Sequence, residues 1–356
     1  MKKGMQVIVL LILAFLMPKL AMAGNDQWAL EKIQVFSAWE FTKGEGVVVA
    51  LIDGGVGSLA EFRGKLWINE DEIANNGIDD DNNGFIDDMN GWDFQDNDNT
   101  SSQGSSLSWH GPFVGGIISS LTVNKEYNRR GIAVSPEAKL MDIRLLDKNK
   151  DYPHEIMLLD CINYAINNDA DIINLSIGCN FRPSYRVEKA INAAYEKGII
   201  VVASVGNESS VVKWPAVYES VIAVTAVDRF NRPYPKANTG AEVDFAAPGV
   251  DICSVWYKDN LLADASGTSY ATAYVTGTVA LMLSVNPELT PKEVYEILEE
   301  TSEDLGEPGK DEKFGHGLIN TYKAVLRTQE LLEKEEHENS GQEEETSSEC
   351  PPEKLE

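Results

Sequence analysis

Residues 47–53, Val-Val-Val-Ala-Leu-Ile-Asp, form an apolar run that ends on a carboxylate and is followed by Gly54-Gly55. No polar face interrupts the run, which is the pattern of a strand buried on both sides rather than a half-exposed one. Similar runs recur at 139–146 (KLMDIRLL), 171–178 (DIINLSIG) and 198–207 (GIIVVASVGN), with helical periodicity between them, most clearly at 154–168 (HEIMLLDCINYAINN). Buried strands separated by amphipathic helices predict an α/β fold, a doubly wound and mostly parallel sheet flanked by helices. In such sheets functional groups collect beyond the carboxyl ends of the strands, so the ends of 47–53 and 201–207 are where a site is expected.

The chain has 356 residues, 43% of them hydrophobic, and a formal net charge of −27. That is enough apolar material for a large core, and the acidity disfavours nucleic acid and anionic membrane surfaces as partners. Residues 1–23 combine Lys2 and Lys3, an apolar run from Val7 to Met17, and Ala21-Met22-Ala23, the composition of a cleaved signal peptide. No later stretch is apolar enough to span a bilayer. The expected product is a secreted or periplasmic monomer with no membrane span after cleavage. Its catalytic domain covers residues 24–328 and carries an acidic insertion at about 68–100. Residues 329–356 are Glu-rich and nearly devoid of large apolar side chains, predicting a frayed helix that runs into a disordered acidic tail. Cys161, Cys179, Cys253 and Cys350 are too few and too scattered for a disulfide framework or a zinc site, and their spacing leaves any pairing open.

Acyl transfer by a serine requires a base for the hydroxyl proton, a carboxylate to orient that base, and donors for the oxyanion. Asp53 closes its strand, His110 opens the apolar segment HGPFVGGII, and Ser269 stands at the start of a helical segment in SGTSYATAYVTG, where backbone N–H groups point outward. Asn207, at the end of VVASVGN, supplies a side-chain amide. Taken singly, the Asp is a turn residue, the His structural and the SGTS a helix cap. Together, their chain order Asp, His, Ser is that of subtilisin and differs from the orders of chymotrypsin and the α/β-hydrolases. An esterase of the latter fold would need a G-x-S-x-G elbow, which the sequence lacks.

On these residues, and on DIINLSIG, WPAVYESVIAVTAVD, DFAAPGVDI and FGHGLINTYKAV, the chain resembles the subtilisin-like serine proteases, or subtilases, from about Trp28 to about Leu326. The resemblance implies a serine endopeptidase acting on protein or peptide substrates. Asp53 would orient the base, His110 would be base and then acid, Ser269 the nucleophile and Asn207 an oxyanion donor. It also implies that Ser176, Ile177, Gly178 and Ser204, Val205, Gly206 flank the primary specificity pocket and pair with substrate backbone. Three segments depart from the family pattern: Asp53-Gly54-Gly55, His110-Gly111-Pro112-Phe113, and Ala273-Tyr274 after the serine motif. No inhibitory prodomain of the usual kind fits between residue 23 and the domain. The alternative function is a catalytically weakened subtilase fold that binds peptides or serves as a scaffold.

Within the insertion, Asp79, Asp81 and Asn83 alternate, Gly84 follows, and Ile86 and Asp87 stand where a calcium loop has its hydrophobic anchor and next ligand. Asn90 occupies the place of the usual closing Glu, with Asp88 nearby. Asp-rich inserts in some secreted subtilases point the same way, so a structural Ca2+ on Asp79, Asp81, Asn83 and Asp87 is expected.

Overall fold

The computed structural model describes residues 27–100, 109–121, 133–146, 155–255 and 262–347. The expected signal peptide and the end of the chain from residue 348 lie outside the described residues. The apolar runs become strands β1 (Val48–Asp53), β3 (Lys139–Arg144), β4 (Ile172–Leu175) and β5 (Ile200–Ser204), joined by β2 (Gly91–Asp93), β6 (Ile222–Val227) and β7 (Phe245–Pro248). They form one seven-stranded sheet in the order β2-β3-β1-β4-β5-β6-β7. Every pairing in it is parallel. A separate antiparallel pair, β8 (Ile252–Val255) with β9 (Leu262–Ala265), completes a mostly parallel architecture.

The two-residue repeat of a strand distributes the central side chains over two layers. Val49 and Leu51 of β1 face one apolar cluster, and Ala50 and Ile52 face the other. The first cluster is closed by α1 (Trp28–Lys32), α2 (Val35–Ala38), α3 (His110–Ile118), α6 (Thr268–Val285), α7 (Pro291–Thr301) and α8 (Thr321–Ser347). The second is closed by α4 (Glu155–Asn167) and α5 (Tyr185–Glu196). Helix α6 lies inside the molecule, buried at every position from Thr268 to Leu283. Its hydroxyls are satisfied internally: Thr272 donates to the Thr268 carbonyl at 2.9 Å and Thr276 to Asn174 Oδ1 at 2.9 Å. Gly277 lets it pass Val134, whose Cβ would lie 2.5 Å from any side chain there. Helix α7 begins on a capping box, Thr290 with Glu293, and has Pro291 in its first turn.

Helix α8 continues to Ser347. One expectation about the insertion needs correction. The acidic insertion buries Glu72, Asp87 and Asp88. Its anchor is Phe85, whose ring meets Trp92 at 5.1 Å and Tyr164 at 5.0 Å, while the expected anchor Ile86 is 50% exposed. The fold chooses Phe85 because an aromatic cluster is there to receive it.

Strand order reverses at β1, which has β3 on one side and β4 on the other. That switch point opens a crevice beyond the carboxyl ends of β1, β4 and β5, where Asp53, Ser176 and Asn207 stand.

Candidate active site

Asp53 ends β1 with no exposure to solvent, and its Oδ1 accepts the Gly54 N–H at 2.6 Å. Both carboxylate oxygens meet His110 Nδ1, at 2.8 and 2.9 Å. A carboxylate only accepts, so Nδ1 carries the proton and Nε2 of a neutral ring is the bare nitrogen. Burial pulls the His110 pKa down, but the charge of Asp53 and its hydrogen bond outweigh burial, and the imidazole titrates above its ordinary value.

Two of the three departing segments, Asp53-Gly54-Gly55 and His110-Gly111-Pro112-Phe113, meet around this pair. Helix α3 approaches β1 so closely that a Cβ on Gly111 would lie 2.4 Å from the Gly55 carbonyl oxygen. Gly55 itself has φ of +78°, a conformation that glycine adopts without penalty. Buried Asp142 holds the turn beyond it, accepting the Val56 N–H at 3.0 Å and the Gly57 N–H at 3.3 Å. Pro112 falls in the first turn of α3, where a missing N–H costs no helical bond. Phe113 is fully buried and packs on Tyr270 at 4.4 Å, and Ala273 and Tyr274 are buried in the same core.

Ser269 is the second residue of α6, so its backbone N–H belongs to the unpaired first turn. Its hydroxyl donates to the Ser176 carbonyl oxygen at 3.1 Å, and the Ser176 hydroxyl returns a bond to the Ser269 carbonyl at 3.0 Å. Asn207 Oδ1 accepts from the Thr268 N–H at 2.9 Å and the Thr268 hydroxyl at 3.1 Å. The backbone donor fixes which end of the amide is oxygen, so Nδ2 faces away from Thr268 as an available donor. The amide lies beside Gly267, where a Cβ would sit 3.7 Å from both of its polar atoms.

The six expected substrate-binding residues divide. Val205 donates to the Val224 carbonyl at 3.1 Å and accepts from the Lys213 N–H at 3.0 Å, and Gly206 accepts from the Asn238 N–H at 3.0 Å. Their backbone is engaged within the fold, as Ser204 is within β5. Among the described residues, neither Ile177 nor Gly178 makes a backbone hydrogen bond. Sequence reasoning missed Thr268, Asn174 and Asp142. The latter two carried a signal, being polar residues within the otherwise apolar runs DIINLSIG and KLMDIRLL.

In the insertion the structure brings Asp81 together with Glu72 and Asp88, with one oxygen from each lying within 4.8 Å of the others. Asp79 instead accepts the backbone N–H of Asn83 at 3.0 Å and of Gly84 at 2.9 Å, and Asp87 those of Asn76 and Gly77 at 2.9 Å. Asn83 points its amide nitrogen at Asp81 and Asp88. Tyr164 donates to Asp88 at 2.6 Å; burial, and then the Asp88 charge, hold its pKa far above the ordinary range, so it remains a donor. At an effective dielectric of about 20, two unit charges at this spacing repel by roughly 3–4 kcal/mol, which a cation would offset. An all-oxygen donor set with two buried members fits a hard ion such as Ca2+.

Comparison with known proteins accords with this geometry. The minor extracellular protease Epr of Bacillus subtilis is 33% identical over 84% of this chain, which spans 41% of Epr. Thermitase of Thermoactinomyces vulgaris is 32% identical over 85% of this chain and is itself covered to 96%. The crystal structure of MycP1 with its N-terminal propeptide removed superposes with a TM-score of 0.66 at 24% identity, covering 84% of this chain and 97% of MycP1, a likeness of fold. The family model for the subtilase family matches residues 44–317, and the chain belongs to that family.

Proposed function

We propose that the protein is a serine endopeptidase that hydrolyses peptide bonds through an acyl-enzyme on Ser269. The observation that carries this reading is the pairing of His110 Nδ1 with the fully buried Asp53, which leaves Nε2 bare to accept a proton. The Ser269 hydroxyl leaves the Ser176 carbonyl by rotation about its side chain and gives its proton to Nε2 as Oγ attacks the scissile carbonyl carbon. The oxyanion that forms is met by the Asn207 Nδ2 and the Ser269 backbone N–H. His110 returns the proton to the departing amine as the C–N bond breaks, and water then releases the acyl group by the same steps in reverse. Ile177 and Gly178 offer the open backbone edge for an extended peptide.

The protein is further read as exported, supported by the composition of residues 1–23 and by the name of Epr, an extracellular protease, and as a monomer. Among the described residues no helix is long and apolar enough to cross a membrane. Ca2+ is read as a structural ion held by Glu72, Asp81 and Asp88, where it would tie the insertion to α4 through Tyr164; it takes no part in the chemistry. Nothing observed favours the alternative of a peptide-binding scaffold.

The test is labelling by a fluorophosphonate together with casein cleavage, with Ser269→Ala as control. Stoichiometric labelling and cleavage, both lost in the variant, are expected. Folded protein that neither labels nor cleaves removes the reading.

A further inference from the structure

The crevice between the ends of β4 and β5 is lined by two glycines that both face one side chain. A Cβ on Gly178 would lie 3.0 Å from Lys213 Cβ and 3.2 Å from its Cδ, and a Cβ on Gly206 would lie 3.0 Å from that same Cδ. The aliphatic stem of Lys213 therefore crosses the gap between the two segments, and its side chain is only 7% exposed. Its Nζ closes on Glu208 Oε1 at 2.6 Å. Glu208 Oε2 in turn accepts the backbone N–H of Asn207 at 3.0 Å and the Asn238 amide at 3.2 Å. A buried ammonium thus sits two hydrogen bonds from the residue read as the oxyanion donor.

We infer that Lys213 is a specificity-determining residue that selects an acidic side chain, Glu or Asp, on the residue contributing the scissile carbonyl. This rests on the catalytic reading of Ser269 and Asn207, because that reading puts this side chain between segments 176–178 and 204–206. The two members of the ion pair are unequal. Glu208 is 48% exposed, so solvent screens its charge, and burial, which raises its pKa, is outweighed by the Lys213, Asn238 and Asn207 hydrogen bonds, leaving the pKa lowered. Lys213 is buried, so its charge is felt more strongly by a group entering the cleft. A large apolar side chain would cover the ammonium and its partner with hydrocarbon and gain nothing for them, while a basic one would meet a like charge. A carboxylate takes a charge-assisted hydrogen bond from the ammonium, sharing it with Glu208 or displacing Glu208 toward solvent. The net charge of −27 repels acidic peptides at long range, but this is screened beyond a Debye length of about 8 Å at physiological salt.

The experiment uses peptides of one sequence that differ only at the residue before the scissile bond: Glu, Asp, Ala, Leu, Phe or Lys. Cleavage by the protein and binding to Ser269→Ala are both measured at physiological salt. Glu is expected to exceed Phe by about tenfold or more in kcat/KM and in affinity, the low end for a hydrogen bond to a charged group. Lys213→Met keeps the stem without the charge and is expected to erase that ratio. Glu208→Gln removes the competing carboxylate and is expected to sharpen it, a second route if Lys213→Met fails to fold. Preference for Phe, Leu, Lys or Ala in the unmodified protein overturns the inference, as does a Glu preference that survives Lys213→Met or does not change in Glu208→Gln. If fluorophosphonate fails to label while Ser269→Ala still shows the Lys213-dependent ratio, the catalytic reading falls and the selectivity stands.

Discussion

Ser176 and Ser269 hold one another through two hydrogen bonds, Ser269 Oγ to the Ser176 carbonyl at 3.1 Å and Ser176 Oγ to the Ser269 carbonyl at 3.0 Å. The Ser176 hydroxyl also accepts from Asn174 Nδ2 at 3.1 Å, and Asn174 Oδ1 accepts from Thr276. The start of α6 is thereby tied to the end of β4 by buried polar groups. Ser176→Ala leaves the Asn174 amide without its acceptor, and is expected to cost about 1–3 kcal/mol in urea unfolding. A midpoint unchanged from the unmodified protein would count against the tie.

The pH dependence follows from His110. Its pKa is raised from 6.5, so its neutral form, the base, accumulates only as pH rises through a value above 6.5. The acid limb of kcat/KM is expected there, and Asp53→Asn should lower the rate by on the order of 10⁴. Stability has the opposite sense: the protonated His110 with Asp53 contributes fully below 6.5, and that contribution is lost as pH rises through the folded pKa. His110→Ala should remove this part of the pH–stability curve in calorimetry.

Asn207 Oδ1 is already held by Thr268, so its Nδ2 is presented without reorganisation at the moment of reaction. Asn207→Ala is expected to lower kcat by about 10²–10³ with little effect on KM. A change confined to KM would instead mark a role in ground-state binding.

Gly111 admits no side chain beside the Gly55 carbonyl. Gly111→Ala must push α3 from β1, with an expected loss of about 1–3 kcal/mol and displacement of the His110 ring. Melting temperature and labelling rate should fall together; retention of both would show that the contact yields.

Calcium on Glu72, Asp81 and Asp88 would stabilise the native state by mass action, about 2.7 kcal/mol at a hundredfold excess over Kd. Chelation is expected to lower the melting temperature, and Asp81→Asn to weaken calcium uptake in titration calorimetry. Asp79→Asn, whose carboxylate caps backbone amides, should leave uptake nearly unchanged. Melting indifferent to chelation would remove the ion from this account.

The sequence by itself determined the parallel sheet, because strands buried on both faces must be continuous apolar runs, and it determined which residues end those strands. Asp53, Asn207 and the Ser269 helix start were legible for that reason, and chain order supplied His110. Tertiary structure decided what no period encodes. In the insertion, carboxylates cap whichever backbone N–H groups the turns expose, so Asp79 and Asp87 are drawn to the loop's own amides, while Glu72 and Asp88, on either side of Asp81 in the chain, converge on it. The buried position of Lys213 between two glycines likewise depends on how β4 and β5 end side by side, a relation between strands paired Ile172 to Ile200 and Leu175 to Ala203 that becomes visible only when the sheet is assembled.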